Sequence, residues 1–139
     1  MKMIYRLKGY DDEWIERRVR GIAIHSELTD EWQKRGVEGD QNYAILTAEI
    51  SRATFGISPS ECRKLEGLGR ENLRDHMDDL ELLFSQLGEA STTRIARNKD
   101  AQGFHENKSV AKSGGEVASL ARKELEKRSG QKVVSSKKS

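Results

Sequence analysis

Proline is nearly absent from this chain: Pro59 is the only one in 139 residues. Proline removes a helix hydrogen bond and fixes φ, so its scarcity permits long helices almost anywhere. Cysteine is equally scarce. Cys62 stands alone, which excludes a disulfide within the chain and suits a reducing cytoplasm. Long apolar runs are missing too, and nothing approaches the ~18 residues of a membrane helix. Lys2, Arg6 and Lys8 interrupt the start of the chain, so no signal peptide is expected there. The expectation is a cytoplasmic protein with no membrane partner.

Signatures of catalysis are also missing. There is no nucleophile elbow, no paired-cysteine motif and no phosphate-cradling loop. Gly67-x-Gly69 lacks a third glycine and a preceding strand. Neither catalytic residues nor a cofactor is expected. Asp75, His76 and Asp79 have the spacing of ligands on one side of a helix, which would suit a metal-dependent nuclease. No second ligand cluster accompanies them, so a solvated acidic face is the stronger reading. Phe104 is the only aromatic residue after Gly88, which argues against base stacking in the C-terminal third.

What the chain has in quantity is charge, at 35% of residues, matching the hydrophobic share. That balance fits a thin helical core with long solvated faces. The net charge of +2 conceals an asymmetry. Residues 1–88 carry 13 Lys or Arg against 17 Asp or Glu, a net of −4. Residues 89–139 carry 12 against 6, a net of +6. Arg94, Arg97, Lys99, Lys108, Lys112, Arg122, Lys123, Lys127 and Arg128 form a candidate strip for the DNA backbone. Such residues neutralise phosphates without reading sequence.

Apolar spacing predicts an all-α fold: one domain over residues 1–130, of about six to eight helices. Residues 131–139 are a basic tail with little to pack and are expected to be disordered. The clearest amphipathic helix spans residues 70–87. Leu73, Met77, Leu80, Phe84 and Leu87 form one stripe, with Arg74, Asp78, Glu81 and Ser85 turned to water. Gly88 is positioned to cap it. Leu82 points away from the stripe and needs a second layer of protein to cover it.

Elsewhere, Asp11 or Asp12 caps a helix bearing Trp14, Ile15, Val19 and Ile22, and Thr29 starts a second, short one. A further helix runs from Asp40 or Asn42 to Gly56, with Tyr43, Leu46, Thr47, Ile50 and Thr54 on one face. Ser58-Pro59-Ser60-Glu61 reads as a helix N-terminus, followed by a hinge at Gly67 and Gly69. Ser91 or Thr92 caps another helix, and Thr92 to Arg97 is similar to the opening of a helix-turn-helix unit. In residues 116–128, Val117, Leu120, Ala121 and Leu125 are expected inward, and Arg122 outward.

Several stretches together carry a resemblance. They are YAILTAEISRATFG over residues 43–56, SPSECRKLEGLGRENLRDHMDDLELLFSQLGEASTTRIAR over 58–97, then DAQGFHENK and GGEVASLARKELEKRSGQKVVS. They resemble the C-terminal region of the DNA-damage-inducible protein D family, which overlaps the prophage antirepressors that carry a BRO-type N-terminal domain. The resemblance spans residues 5–135. It implies a regulatory module whose partner is a protein, such as a repressor or a recombination protein, with DNA contact and homo-oligomerisation as further possibilities. No BRO-type domain lies within these residues, so a stand-alone, split or truncated form of the region is expected.

Overall fold

A computed structural model describes residues 2–59, 61, 64 and 73–134. The fold is all-α. Among the described residues there is no strand, and five helices and one 3-10 turn make up the order. They are α1 (Lys2–Leu7), α2 (Asp12–Lys34), α3 (Asp40–Phe55), the turn Leu73–His76, α4 (Asp79–Lys99) and α5 (Gly103–Ser129). Helices α2 to α5 form the body, with α1 folded against α2.

Local chemistry sets most of the ends. The Asp11 carboxylate accepts the Trp14 N–H at 2.7 Å and starts α2. That helix runs unbroken past Thr29, so the separate short helix expected there is part of α2. Helix α3 stops at Gly56, whose left-handed backbone (φ 78°) lets its N–H reach the Arg52 carbonyl. Ser58 and Glu61 make the expected reciprocal cap: the Ser58 Oγ accepts the Glu61 N–H at 3.2 Å. Beyond it Pro59, Glu61 and Lys64 are helical, as expected, while Cys62, the Gly67–Gly69 hinge and residues 70–72 lie outside the described residues.

The central amphipathic segment is the main correction. It is not one helix over residues 70–87. Leu73–His76 is a 3-10 turn, and α4 begins afresh at Asp79. Asp78, expected on a solvated helix face, is the N-cap. Its carboxylate accepts the Glu81 N–H at 2.9 Å, and the Glu81 carboxylate accepts the Asp78 N–H at 3.0 Å. The break resets the helical phase. Leu73, Met77 and Phe84 are buried as expected, and Leu82 is covered at 2% exposure. Leu80 and Leu87 are exposed at 45% and 38%, and Glu81 is buried.

Helix α4 also continues through Gly88, expected as its cap, to Lys99. Neither Ser91 nor Thr92 is a cap, since both lie within the helix. The Thr92 and Thr93 hydroxyls donate to the Gly88 and Glu89 carbonyls, at 2.7 and 3.2 Å. The helix-turn-helix opening is therefore the middle of a long helix. Asp100 ends α4 in the left-handed conformation (φ 52°), and its carboxylate accepts from Arg35 at 2.9 Å. Three residues later α5 turns back against α4.

Gly88 and Gly114 explain that pairing. A Cβ on Gly114 would stand 1.9 Å from Thr92 Oγ1, and one on Gly88 would stand 2.7 Å from Thr54 Oγ1. Both distances are far inside van der Waals contact: at Gly114 the α5 backbone lies against the α4 backbone, and at Gly88 the Thr54 and Ile50 side chains of α3 lie against α4. Gly114 and Gly115 sit inside the uninterrupted α5. The contact also turns α5. Ala111, Gly114, Ala118 and Arg122 face inward, while Val117, Leu120 and Ala121, expected inward, face out.

Apolar side chains gather around this seam, chiefly in two clusters. Tyr5, Trp14, Ile15, Phe55, Met77, Leu82 and Phe84 share one cluster, and Leu28, Trp32, Val37, Leu46, Ile50 and Ala111 the other. Beyond Gly130, Val133 still packs into the first cluster, and its N–H donates to Glu126 at 2.9 Å. Residues 135–139 lie outside the described part.

Leu82→Ala is expected to cost about 2–5 kcal/mol, whereas Leu80→Ala should stay near ~0.5 kcal/mol. Gly114→Ala should cost at the upper end of the ~1–3 kcal/mol typical of overpacking. Urea titration of the three variants checks this order. Equal losses at Leu80 and Leu82 would contradict the helix phase described.

Candidate functional site

The expected basic strip divides into three groups. Arg122 is buried: its Nε donates to the Thr54 carbonyl at 2.7 Å and its Nη1 to Glu126 at 2.8 Å. It locks α5 to the end of α3 and is not a surface cation. Arg97 and Arg128 are held by carboxylates. Arg97 donates to Glu31 and Glu27, each at 2.9 Å, and Arg128 to Glu124 at 2.9 Å. The remaining six, Arg94, Lys99, Lys108, Lys112, Lys123 and Lys127, are exposed and form no ion pair with a described residue. Lys108, Lys112, Lys123 and Lys127 share one side of α5 by helical spacing, with Glu116 among them. Arg94 and Lys99 stand apart on α4.

Asp75, His76 and Asp79 do not converge. The Asp75 carboxylate accepts from Tyr5 Oη at 3.1 Å and Arg18 Nε at 3.0 Å. Its backbone carbonyl accepts from Tyr10 Oη at 2.8 Å, and Trp14 Nε1 donates to the Met77 carbonyl at 3.0 Å. Asp75 therefore anchors the 3-10 turn on α1 and α2. Asp79 pairs with Arg17 at 2.8 Å. Among the described residues, no three His, Cys, Asp or Glu side chains are grouped to hold a metal.

A cleft of about 710 Å³ opens between α2, α3 and the 3-10 turn, lined in part by His25, Tyr43, Thr47, Arg74 and Glu89. Glu89 is its electrostatic centre. It is 2% exposed and accepts from Arg74 through both oxygens, while His25 Nδ1 lies 3.3 Å from Oε1. Burial alone would raise the Glu89 carboxyl. The His25 hydrogen bond and the Arg74 charge outweigh it and hold the group below the usual glutamate range. Both oxygens are engaged, so Glu89 acts as a strut between α4, α2 and the turn. Glu31 repeats the pattern. Its burial is outweighed by Arg97 and then Arg35, which lower its carboxyl.

Exposed apolar side chains lie elsewhere: Met3, Ile4 and Leu7 on α1, Ile45 on α3, and five on α4 and α5. Leu80, Leu83 and Leu87 line the outer face of α4, and Val117 and Leu120 that of α5, with exposures from 38% at Leu87 to 71% at Leu120. Leu87 precedes Gly88 and Val117 precedes Ala118, the two residues that meet across this antiparallel pair. Both therefore turn to the same side of the pair. The five side chains share one two-helix face.

Sequence periodicity assigned Leu80 and Leu87 on α4, and Val117 and Leu120 on α5, to the core. The signal that finds the α4 leucines is the small-residue line Gly88, Thr92 and Ala96, four residues apart. Read as the inward side of α4, it places Leu80, Leu83 and Leu87 outside.

The Glu89 strut predicts a pH dependence. A carboxyl whose folded pKa is lowered adds stability that is complete above its unfolded value, about 4.3, and is lost as pH falls below that through the folded value. Glu89→Ala should destabilise the protein by about 3–5 kcal/mol at neutral pH and by clearly less in acid, because it removes the buried carboxylate that Arg74 and His25 both face. Thermal melts between neutrality and acid test it; an equal loss at all pH values would contradict the strut.

No family model and no curated protein matches this chain.

Proposed function

We propose that the chain is a non-enzymatic regulatory module, of phage antirepressor or DNA-damage-response type, that works by binding a protein partner. The observation that carries this is the α4–α5 face. Scattered exposed leucines are ordinary on any protein surface, but five large apolar side chains on one side of a helix pair are a concentration. Water is displaced from such a face only by another apolar surface, which a protein offers and a DNA backbone does not. The resemblance to the DNA-damage-inducible protein D region supplies the regulatory setting and the kind of partner, a repressor or a recombination protein.

DNA-backbone binding is the second reading. It is favoured by the four lysines on one side of α5 that pair with no described acid. It is weakened by the burial of Arg122, the ion pairs of Arg97 and Arg128, and Glu116 within the lysine side.

Affinity capture from DNA-damaged cells, with and without nuclease, separates the two. A nuclease-resistant partner is expected with the unaltered chain and should disappear with Leu83→Glu plus Leu120→Glu, both exposed and so compatible with folding. Capture that vanishes with nuclease and survives the two substitutions would overturn the protein-partner reading. On the DNA reading, changing Lys108, Lys112, Lys123 and Lys127 to Gln should weaken binding for every sequence alike. It should also flatten the salt slope by about 0.9 for each phosphate no longer neutralised. An unchanged slope would leave the lysines as solvated surface.

A further inference from the structure

We infer that the hollow at the C-terminal end of α5 is a binding site for a multiply charged phosphate group, held by Lys123, Lys127 and Lys132. The site lies apart from the apolar α4–α5 face and stands or falls independently of it.

The turn beyond α5 builds the site. Gly130 takes the left-handed conformation (φ 75°), which stops the helix and lets the chain double back. The Ser129 Oγ accepts the Gln131 N–H at 3.3 Å, and the Glu126 carboxylate accepts the Val133 N–H at 2.9 Å. Val133 is buried in the cluster around Trp14, so the backbone of Lys132 starts from a fixed neighbour. Lys123 and Lys127 stand one helical turn apart on α5. With Glu126, Gly130, Gln131 and Lys132 they surround a hollow of about 370 Å³.

The charge in this hollow is one-sided. All three lysines are exposed, and none forms an ion pair with a described residue. Glu126 is the single acid among the lining residues, and both its oxygens are taken. Oε1 accepts from Arg122 Nη1 at 2.8 Å, and Oε2 accepts the Val133 N–H. Three ammonium groups therefore share one concavity with no counter-charge of their own. Cations in a last turn complement the helix dipole, which accounts for Lys127. It does not account for Lys123, a turn earlier, or for Lys132, beyond the helix end. A bound anion relieves their mutual repulsion. A carboxylate brings one charge, whereas a phosphate group or diphosphate concentrates two or more in a space of this size. Lysine suits such a ligand as a compact charge with three rotatable donors. Lys108 and Lys112 lie on the other side of Glu116 along α5, outside the hollow.

Thermal melting of the full chain with inorganic pyrophosphate, against sodium chloride of equal ionic strength, tests the inference. Pyrophosphate is expected to raise the midpoint saturably, because a ligand of the folded state stabilises it. Changing Lys123, Lys127 and Lys132 to Gln should weaken pyrophosphate binding by about tenfold or more, the loss expected when charged hydrogen bonds are removed. All three side chains are exposed, so the fold is retained. Lys108→Gln with Lys112→Gln should leave binding unchanged. A midpoint that follows ionic strength alone overturns the inference, as does a rise that the triple variant keeps. An equal loss in the Lys108 and Lys112 variant also overturns it, since that reports a diffuse basic surface. A labelled DNA duplex separates the two sources of phosphate. If pyrophosphate displaces the duplex, a nucleic-acid strand occupies the hollow; if pyrophosphate binds without displacing a duplex, the occupant is a free oligophosphate.

Discussion

Helices α4 and α5 approach so closely at Gly114 and Thr92 that a single added Cβ has no room. Most of the architecture depends on that contact. It fixes which sides of both helices turn inward, and Gly88 extends the constraint to α3 through Thr54. Backbone contact along a line of small residues contributes dispersion but little apolar area. The large side chains form clusters beside the seam, around Trp14, Met77 and Phe84 and around Trp32, Leu46 and Ile50. On the far side of the same pair, leucines remain that no described element covers.

Buried charge holds what the thin core does not. Glu89 joins α4 to α2 and to the 3-10 turn through His25 and Arg74. Arg122 joins α5 to the last turn of α3, and Glu31 gathers Arg35 and Arg97. Each carboxylate or guanidinium is satisfied by more than one partner, which is the condition under which burial of a charge is tolerated. These pairs also account for much of the charge that composition alone would assign to the surface.

That reallocation bears on function. A basic third of net +6 points toward nucleic acid when read as composition. In three dimensions Arg122 is a core strut and Arg97 and Arg128 are neutralised. The leucines moved in the opposite direction, from expected core to exposed surface. The balance between a DNA-backbone contact and a protein contact shifts with both movements.

The sequence by itself determined the all-α class and several helix ends: the Asp11 cap, the Ser58–Glu61 cap, and the glycine stops at Gly56 and Gly130. These signals lie within one helical turn, so local chemistry suffices to read them. The Asp78–Glu81 capping box was equally local, but the apolar stripe from Leu73 to Leu87 ran across it and concealed the break. Only the tertiary structure decided which side of each helix faces inward. For α4 and α5, Leu80, Leu87, Val117 and Leu120 matched a helical period as well as Gly88, Thr92, Gly114 and Ala118 did. Periodicity identifies two faces of a helix; the distance at which its neighbour packs selects one, and here the neighbours pack close enough to select the small residues.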